Sequence, residues 1–149
     1  MTDHLTRADL AHLNERTIRA HGGTFTAPEN LADEAALTTL LDTVASDDLS
    51  RLADKAAAYF YGIINIRVFQ DANGRTALLA ARTFVLLNGG IFHKKLKAVE
   101  VDERRIPAEG NGREIWFSMT TETSHNHLSP DDCRAWFAAN LTAPVHRSR

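Results

Sequence analysis

The sequence contains a single cysteine, Cys133, among its 149 residues, so it cannot form an internal disulfide. Cysteine-poor chains are typical of reducing compartments, and the polar start of this chain lacks the apolar core of a signal peptide. We therefore expect a cytoplasmic protein. The longest apolar stretch, residues 56–64, is much shorter than the ~20 residues that a membrane-spanning helix needs. The sequence thus predicts no membrane association.

The chain also lacks an excess of positive charge. Lysine and arginine number 17 against 19 aspartates and glutamates, which gives a net charge of -2. Proteins held by nucleic-acid phosphates are expected to be strongly basic, so we expect no direct binding of nucleic acid. With 44% hydrophobic and 24% charged residues, the composition is that of a globular protein. We expect a single domain spanning residues 1–149.

Apolar residues recur mostly at spacings of three and four, which is the period of a helix rather than of a strand. A first helix begins at Thr6, where Asp9 completes a capping box, and ends at Gly22 and Gly23. Ser46, Asp47 and Asp48 are expected to end the second helix and to cap the third. The second, third and fourth helices are predicted over residues 31–45, 49–65 and 73–88.

The last third of the chain has a weaker pattern. Residues 91–101 suit a short extended or mixed segment, and residues 102–112 suit a loop. Asn111 is expected to cap a fifth helix, and Ser129 with Pro130 to begin a sixth. The tail from Thr142 is expected to fray. The predicted fold class is all-α: a compact helical bundle with room for a short β-hairpin or extended segment.

Residues 69–76, Phe-Gln-Asp-Ala-Asn-Gly-Arg-Thr, form a turn that leads directly into the fourth helix. Free N–H groups and the positive dipole end of a helix favour a bound anion such as a phosphate, and Gly74 permits close approach. Arg75 adds a forked positive charge, and Asp71 is the kind of oxygen ligand that holds Mg²⁺ beside a nucleotide. The structural alternative is that Asp71 or Asn73 caps the helix while Arg75 makes a surface ion pair.

This stretch resembles the signature of the Fic/Doc family, His-x-Phe-x-(Asp/Glu)-(Ala/Gly)-Asn-(Gly/Lys)-Arg. Six positions match: Phe69, Asp71, Ala72, Asn73, Gly74 and Arg75. Over roughly the first ninety residues the chain is similar to the death-on-curing (Doc) toxins of that family, whereas the last third is only loosely similar. The resemblance implies a compact Fic/Doc helical bundle.

The resemblance implies a nucleotide-dependent modification of a hydroxyl on a target protein, with ATP or another nucleotide and Mg²⁺ as cofactors. Asp71 would bind Mg²⁺, while Asn73, Arg75 and the backbone from Ala72 to Gly74 would form a cradle for the phosphates. Typical AMP transferases have glycine at position 74, and the Doc branch, which transfers phosphate to a translation factor, has lysine. Gly74 therefore points to AMP transfer.

The histidine of the signature, which acts as general base, corresponds to Arg67. Arginine stays protonated and cannot accept the hydroxyl proton. A general base contributes about 10² to 10⁴-fold, so we expect an impaired chain with a residual rate. Three alternatives stay open: an inactivated form of a toxic enzyme, a natural pseudoenzyme, or an active protein that uses Arg67 as an extra phosphate ligand. A non-catalytic module that binds a nucleotide or a protein partner is the alternative from another functional class.

Many Fic proteins carry an inhibitory helix, (Ser/Thr)-x-x-x-Glu-(Gly/Asn), whose glutamate pairs with a second arginine of the signature. Phe25 precedes Glu29 at the required place, Arg105 precedes Glu109, and the second-arginine position is Leu78. Neither half of that device is present. The resemblance therefore implies inhibition by a separate antitoxin that folds on binding.

Other polar residues suggest weaker candidates for function. His125, His127 and Cys133 could hold zinc, but they are too few for a closed structural site and their spacing fits no standard finger. His21 and His93 could replace the missing base. Each lies beside a glycine pair at a predicted helix end, where an exposed or capping histidine is the more common outcome.

Overall fold

Six α-helices account for most of residues 2–144, the part of the chain that the computed structural model describes. They are α1 (Arg7–His21), α2 (Glu34–Ala45), α3 (Leu52–Ile66), α4 (Asn73–Leu87), α5 (Ile115–Ser124) and α6 (Pro130–Asn140). The short strands are β1 (Ile91–Phe92), β2 (Val99–Val101), β3 (Arg104–Ile106) and β4 (Leu141–Thr142). The predicted mostly helical fold is confirmed. No helix within residues 2–144 is long and apolar enough to cross a bilayer.

Helix α3 is the centre of the bundle and packs against α2, α4, α5 and α6. Tyr59, Phe60 and Ile63 are each 0% exposed, and a helix whose apolar residues cover more than one face belongs in the interior of a protein. Gly62 lets α2 approach closely, because a Cβ atom at this position would lie 2.6 Å from Cδ1 of Leu40. The position of α3 fixes where its C-terminal end, and hence the turn into α4, must lie.

Aromatic rings join the last third of the chain to α3. The ring of Phe60 lies 6.0 Å from that of Trp116 in α5 and 5.4 Å from that of Phe137 in α6, measured between centroids. Trp116 and Trp136 are edge-on to each other at 4.9 Å. Such tilted and edge-to-face pairs add to the free energy gained by burial. These contacts hold α5 beside the end of α3.

The short strands differ from the sequence predictions in two places, the loop over residues 102–112 and the tail from Thr142. β2 and β3 form an antiparallel hairpin in which Val99 pairs with Ile106, so the extended segment is confirmed, but the loop predicted over residues 102–112 is wrong at residues 104–106. The cause is a tight turn at Asp102 and Glu103, both with positive φ, which brings the two strands together. Thr142 does not fray, because β4 pairs with β1. Residues 143 and 144 have no regular secondary structure, and residues 145–149 of the predicted tail lie outside the described residues.

Two of the predicted helix starts are confirmed as capping boxes. Thr6 accepts a hydrogen bond from the backbone N–H of Asp9, whose side chain accepts from the N–H of Thr6. Ser129 and Asp132 make the same reciprocal pair at the start of α6. Each box satisfies two N–H groups that would have no partner within the helix.

Helix α2 starts later than the predicted residue 31. Leu31 forms an isolated β-bridge with Phe69, so its backbone is extended and cannot begin a helix. Asp33 is the N-cap instead, and its side chain accepts from the N–H of Ala36 at 3.0 Å. The pairing of residue 31 with the turn before α4 therefore sets the length of α2.

The prediction that residues 46–48 cap the third helix is wrong. The carbonyl of Ser46 accepts from the N–H of Leu49, and the hydroxyl of Ser46 accepts from the N–H of Asp48. These bonds make a separate turn, after which α3 begins at Leu52 with Arg51 as an N-cap that makes no side-chain capping bond. A local turn has used the polar residues that would otherwise have capped the helix.

The prediction that Asn111 caps the fifth helix is also wrong. A short 3₁₀ turn, Gly112–Glu114, intervenes before α5. The side-chain oxygen of Asn111 accepts from Nη2 of Arg105 at 2.9 Å. Because that oxygen is used to bind β3, it is not available to cap a helix.

We expect Phe60→Ala to lower the free energy of unfolding by about 3 to 5 kcal/mol, since it removes a fully buried ring from the contact between α3, α5 and α6. The matched control is Leu86→Ala, at a helical residue that is 64% exposed, for which a change within about 0.5 kcal/mol is expected. Urea unfolding of both variants measures the difference. Equal losses would contradict the central role of Phe60.

Candidate functional site

The turn between α3 and α4 begins and ends with a residue in the left-handed conformation. Arg67 has φ 55° and Ala72 has φ 61°. This conformation costs a residue with a Cβ atom roughly 1–2 kcal/mol. Two such residues in one short turn persist only where surrounding contacts hold the backbone.

Part of that support comes from the segment before α2. Leu31 and Phe69 form an antiparallel bridge, the N–H of Ala32 donates to the carbonyl of Val68 at 2.9 Å, and the N–H of Gln70 donates to the carbonyl of Asn30 at 2.8 Å. Phe69 is 1% exposed, so its ring anchors the turn in the core. The turn is therefore held along both its backbone and its central side chain.

Two asparagine side chains complete the support. Asn73 accepts from the N–H of Phe69 at 2.9 Å and donates to its carbonyl at 2.8 Å. Asn14, which is 0% exposed, donates to the carbonyl of Asp71 at 2.9 Å and to the hydroxyl of Thr76 at 3.0 Å. The amide of Asn73 thus shapes the turn and does not cap α4. Sequence reasoning missed Asn14, whose signal is an amide beside the apolar positions of α1.

The start of α4 presents unpartnered N–H groups, as the sequence predicts. The first backbone hydrogen bond within the helix runs from the N–H of Thr76 to the carbonyl of Ala72, at 2.9 Å. The N–H groups of Asn73, Gly74 and Arg75 therefore have no carbonyl partner within the helix. Together with the helix dipole they make this end attractive to an anion.

Asp71 is held by backbone N–H groups rather than by a cation. Its Oδ2 accepts from Thr24 at 2.7 Å and its Oδ1 accepts from Ala72 at 2.8 Å. These two bonds, followed by the nearby charges of Arg75 and Arg67, lower the pKa of Asp71 below its usual value. Each oxygen of an ionised carboxylate can accept more than one bond, so both keep the capacity to bind a metal.

Arg75 does not make the surface ion pair of the structural alternative. Its Nη1 donates to the carbonyl of Thr17 at 3.2 Å and its Nη2 to that of Gly22 at 2.6 Å, at the C-terminal end of α1. Gly23 has φ +131°, and a Cβ atom there would lie 2.8 Å from Oδ2 of Asp71. Asp71 and Arg75 therefore hold the end of α1 against the start of α4.

The residues predicted to form the site line one open cleft of about 710 Å³, within the ~300–1,000 Å³ typical of ligand sites. The turn, α4 and the end of α3 form one wall, with Ile64, Arg67, Asp71, Ala72, Asn73, Gly74, Arg75 and Leu78. The 3₁₀ turn and α5 form the other, with Arg113, Trp116, Phe117, Thr120, Thr121, Ser124 and His125.

Sequence reasoning missed this second wall, except for His125, which it considered only as a possible zinc ligand. Its residues recur at spacings of three and four from Arg113 to Ser124, so they share one face of a helix. A signal was present in the run of hydroxyl side chains on that face. The two walls meet at Gly74, where a Cβ atom would lie 2.6 Å from Cγ2 of Thr120. The glycine of the signature is thus needed for packing against α5.

The other candidates gain no support from their positions. Cys133 is fully buried beside Thr123, and burial raises the pKa of its thiol to about 12, which disfavours the thiolate that binds zinc. Within residues 2–144 no cluster of three or more histidine, cysteine or acidic side chains is placed to hold a metal. His21 and His93 are both exposed, and neither lines the cleft.

Comparison with known proteins identifies the family to which the chain belongs. A family model described as the Fic/DOC family matches residues 4–85, more than half of the chain. The chain belongs to the Fic/Doc family. Fic/Doc proteins generally transfer AMP or phosphate to protein targets. No curated protein matches the chain significantly. The matched region includes the turn and all of α4 except its last two residues, and it ends before α5, so one wall of the cleft lies outside it.

We expect the ionised Asp71 to stabilise the fold of this Fic/Doc chain at neutral pH. Because its pKa is lowered in the folded state, the stabilisation is present above the unfolded pKa of about 3.9 and is lost as pH falls through the lower, folded pKa. Asp71→Asn should therefore have a lower free energy of unfolding than the unchanged chain at pH 7. The difference between the two free energies should become smaller below about pH 4. Urea unfolding of both chains from pH 7 to pH 3 measures this difference. A difference that does not change with pH would contradict stabilisation by the ionised carboxylate of Asp71.

Proposed function

We propose that this chain is a Doc-like member of the Fic/Doc family that binds ATP or another nucleotide with Mg²⁺ in the cleft. It transfers AMP to a hydroxyl of a target protein, at a rate reduced by Arg67. The observation that carries the proposal is the single cleft that gathers Arg67 and the matching residues from Asp71 to Arg75. Transfer from a nucleotide needs charged groups and hydrogen-bond donors that are held close together in advance.

The start of α4 suits the phosphates of a nucleotide. Its N–H groups from Asn73 to Arg75 have no carbonyl partner within the helix. The bonds of Arg75 to two carbonyls use two of the five N–H donors of its guanidinium, so the others remain for phosphate oxygens. These donors are held in place before a ligand arrives, which avoids reorganisation when charge develops during transfer.

Asp71 fits the metal part of the proposal. Mg²⁺ is usually held by one or two carboxylates together with substrate phosphates and water. The half-buried carboxylate of Asp71 lines the cleft close to the start of α4, and its lowered pKa keeps it ionised at neutral pH. When bound, Mg²⁺ would neutralise phosphate charge, while Asp71 and the α4 backbone orient the nucleotide.

Gly74 supports AMP transfer over phosphate transfer. The phosphate-transferring branch has lysine at this position, and any side chain here would bring its Cβ atom to 2.6 Å from Thr120. Since so short a contact requires a shift of α5 or of Thr120, this chain suits the glycine form of the signature. The likeness to Doc over the first ninety residues supports a toxin of a toxin–antitoxin pair.

The partners of the proposed function follow from the same likeness. The acceptor is a protein hydroxyl, and a translation factor is the candidate that the Doc branch suggests. The leucine at position 78, where a second arginine would pair with an inhibitory glutamate, supports control by a separate antitoxin. Both proteins would meet this chain in the cytoplasm.

Arg67 sets the expected rate. It lines the cleft, and by the resemblance to the signature it corresponds to the family's histidine, but a guanidinium cannot accept the proton of the hydroxyl. Three explanations for the arginine at position 67 stay open. The chain is an inactivated form of a toxic enzyme, a natural pseudoenzyme, or an active protein in which Arg67 binds phosphate. The same positive charge favours the second candidate function, a non-catalytic module that binds nucleotide or a protein partner.

We expect Arg67→His to raise transfer of labelled AMP to protein by about 10² to 10⁴-fold, the usual contribution of a general base. The backbone tolerates the change, because histidine is enriched among residues with positive φ, which position 67 adopts. Arg67→Gln is the control that removes the charge without supplying a base, and it should give no such increase. Labelling by Arg67→His that stays at background would contradict the proposed transfer.

Calorimetry with Mg²⁺ and ATP tests the nucleotide site independently of transfer. The unchanged chain and Arg67→His should both bind, whereas Asp71→Ala should bind at least about tenfold more weakly, a loss of about 1.4 kcal/mol. Asp42→Ala, at an exposed carboxylate of α2, is the control and should bind normally. Binding by none of the variants would exclude the nucleotide site. Binding without transfer in Arg67→His would favour the non-catalytic module.

A further inference from the structure

The cleft holds an imidazole that does not belong to the signature. His125 lies at the end of α5 and lines the cleft together with Arg67 and Asp71. Among the described residues that line this cleft it is the one histidine. The carboxylate of Asp71, with its lowered pKa, is a poor proton acceptor, and the arginines are permanently protonated. Among the side chains that line the cleft, the imidazole of His125 is of the type that most often serves as a general base.

The backbone around His125 is fixed against the end of α3. The N–H of His125 donates to the carbonyl of Thr121 at 3.0 Å. The next residue, Asn126, has φ 61°, and its side-chain oxygen accepts from Nδ2 of Asn65 at 2.8 Å. Asn65 comes two residues before Arg67, so this bond ties the last turn of α5 to the start of the α3–α4 turn. This bond places the backbone next to His125 against the segment that leads to Arg67, and both residues line the cleft.

His125 shares both the cleft and a neighbouring groove with charged side chains. Arg67, Asp71, Arg75 and Arg113 line the cleft with it. A neighbouring groove of about 330 Å³ presents Glu109, Glu122 and His127, and the rings of His125 and His127 lie 5.8 Å apart between centroids. His125 is exposed. An exposed ring at the edge of the cleft can meet a hydroxyl on the surface of a target protein.

We propose that His125 accepts the hydroxyl proton in the slow transfer that Arg67 leaves to this chain. This inference rests on the proposed function. The hydroxyl oxygen forms a bond to the α-phosphorus of a nucleoside triphosphate, and the bond from that phosphorus to the bridging oxygen breaks. The electron pair of the broken bond leaves with pyrophosphate, and the hydroxyl proton passes to a ring nitrogen of His125.

A rescue experiment tests the role of His125. Transfer of labelled AMP is compared among the unchanged chain, His125→Gln, Arg67→His and the double variant, with His127→Gln as the matched control. We expect His125→Gln to lower the slow transfer by about tenfold, a part of the 10² to 10⁴-fold that a well-placed general base contributes, and His127→Gln to leave it unchanged. In the double variant the histidine at position 67 makes His125 dispensable, so its rate should equal that of Arg67→His alone. Calorimetry with Mg²⁺ and ATP should give the same affinity for His125→Gln as for the unchanged chain.

Several outcomes would overturn the inference. Transfer by His125→Gln at the unchanged rate would exclude it as the acceptor. An equal loss in both backgrounds, or a loss of ATP affinity, would assign His125 a binding or structural role instead. Transfer by Arg67→His but not by the unchanged chain would exclude His125 and leave the proposed function standing. No transfer by any variant, with no binding of ATP, would refute the proposed function itself, and the inference with it.

Discussion

The reciprocal pair of hydrogen bonds between the side chain of Asn73 and the backbone of Phe69 is the constraint on which the cleft depends. It closes the turn before α4, so that Ala72 adopts a left-handed conformation and the first N–H groups of the helix face outward. Asn14 holds the same turn from the side of α1 through the carbonyl of Asp71. Without these amides the two left-handed residues would relax, and Asp71 would lose its place beside the helix end.

The use of Asp71 and Arg75 in holding α1 alters how the signature should be understood. Both side chains bond to backbone groups near Gly22 and Thr24, so they have a structural task even when the cleft holds no ligand. A carboxylate and a guanidinium each retain bonding capacity after those contacts. The structural role of this signature is therefore compatible with the proposed functional one, because the same bonds that hold the helices together also fix the positions of the charged groups.

Much of the fold follows from local patterns. The helix starts at Thr6 and Ser129 and the turn from Asp71 to Arg75 into α4 can be predicted because each depends on residues close in sequence. The starts of α2 and α3 cannot be, because the bridge from Leu31 to Phe69 and the turn at Ser46 compete with capping. The second wall of the cleft was missed because only packing of α5 through Trp116 brings it opposite α4. No local pattern contains that contact.

Gly74 shows how little material separates the two walls. A Cβ atom at this position would lie 2.6 Å from the methyl group of Thr120. The helices α4 and α5 therefore pack so closely here that only a hydrogen atom fits between them. The residue therefore serves as a spacer of minimal thickness between two helices that are distant in sequence. A larger residue at position 74 would push α4 and α5 apart and widen the cleft. This is also the position at which the signature of the family has either glycine or lysine.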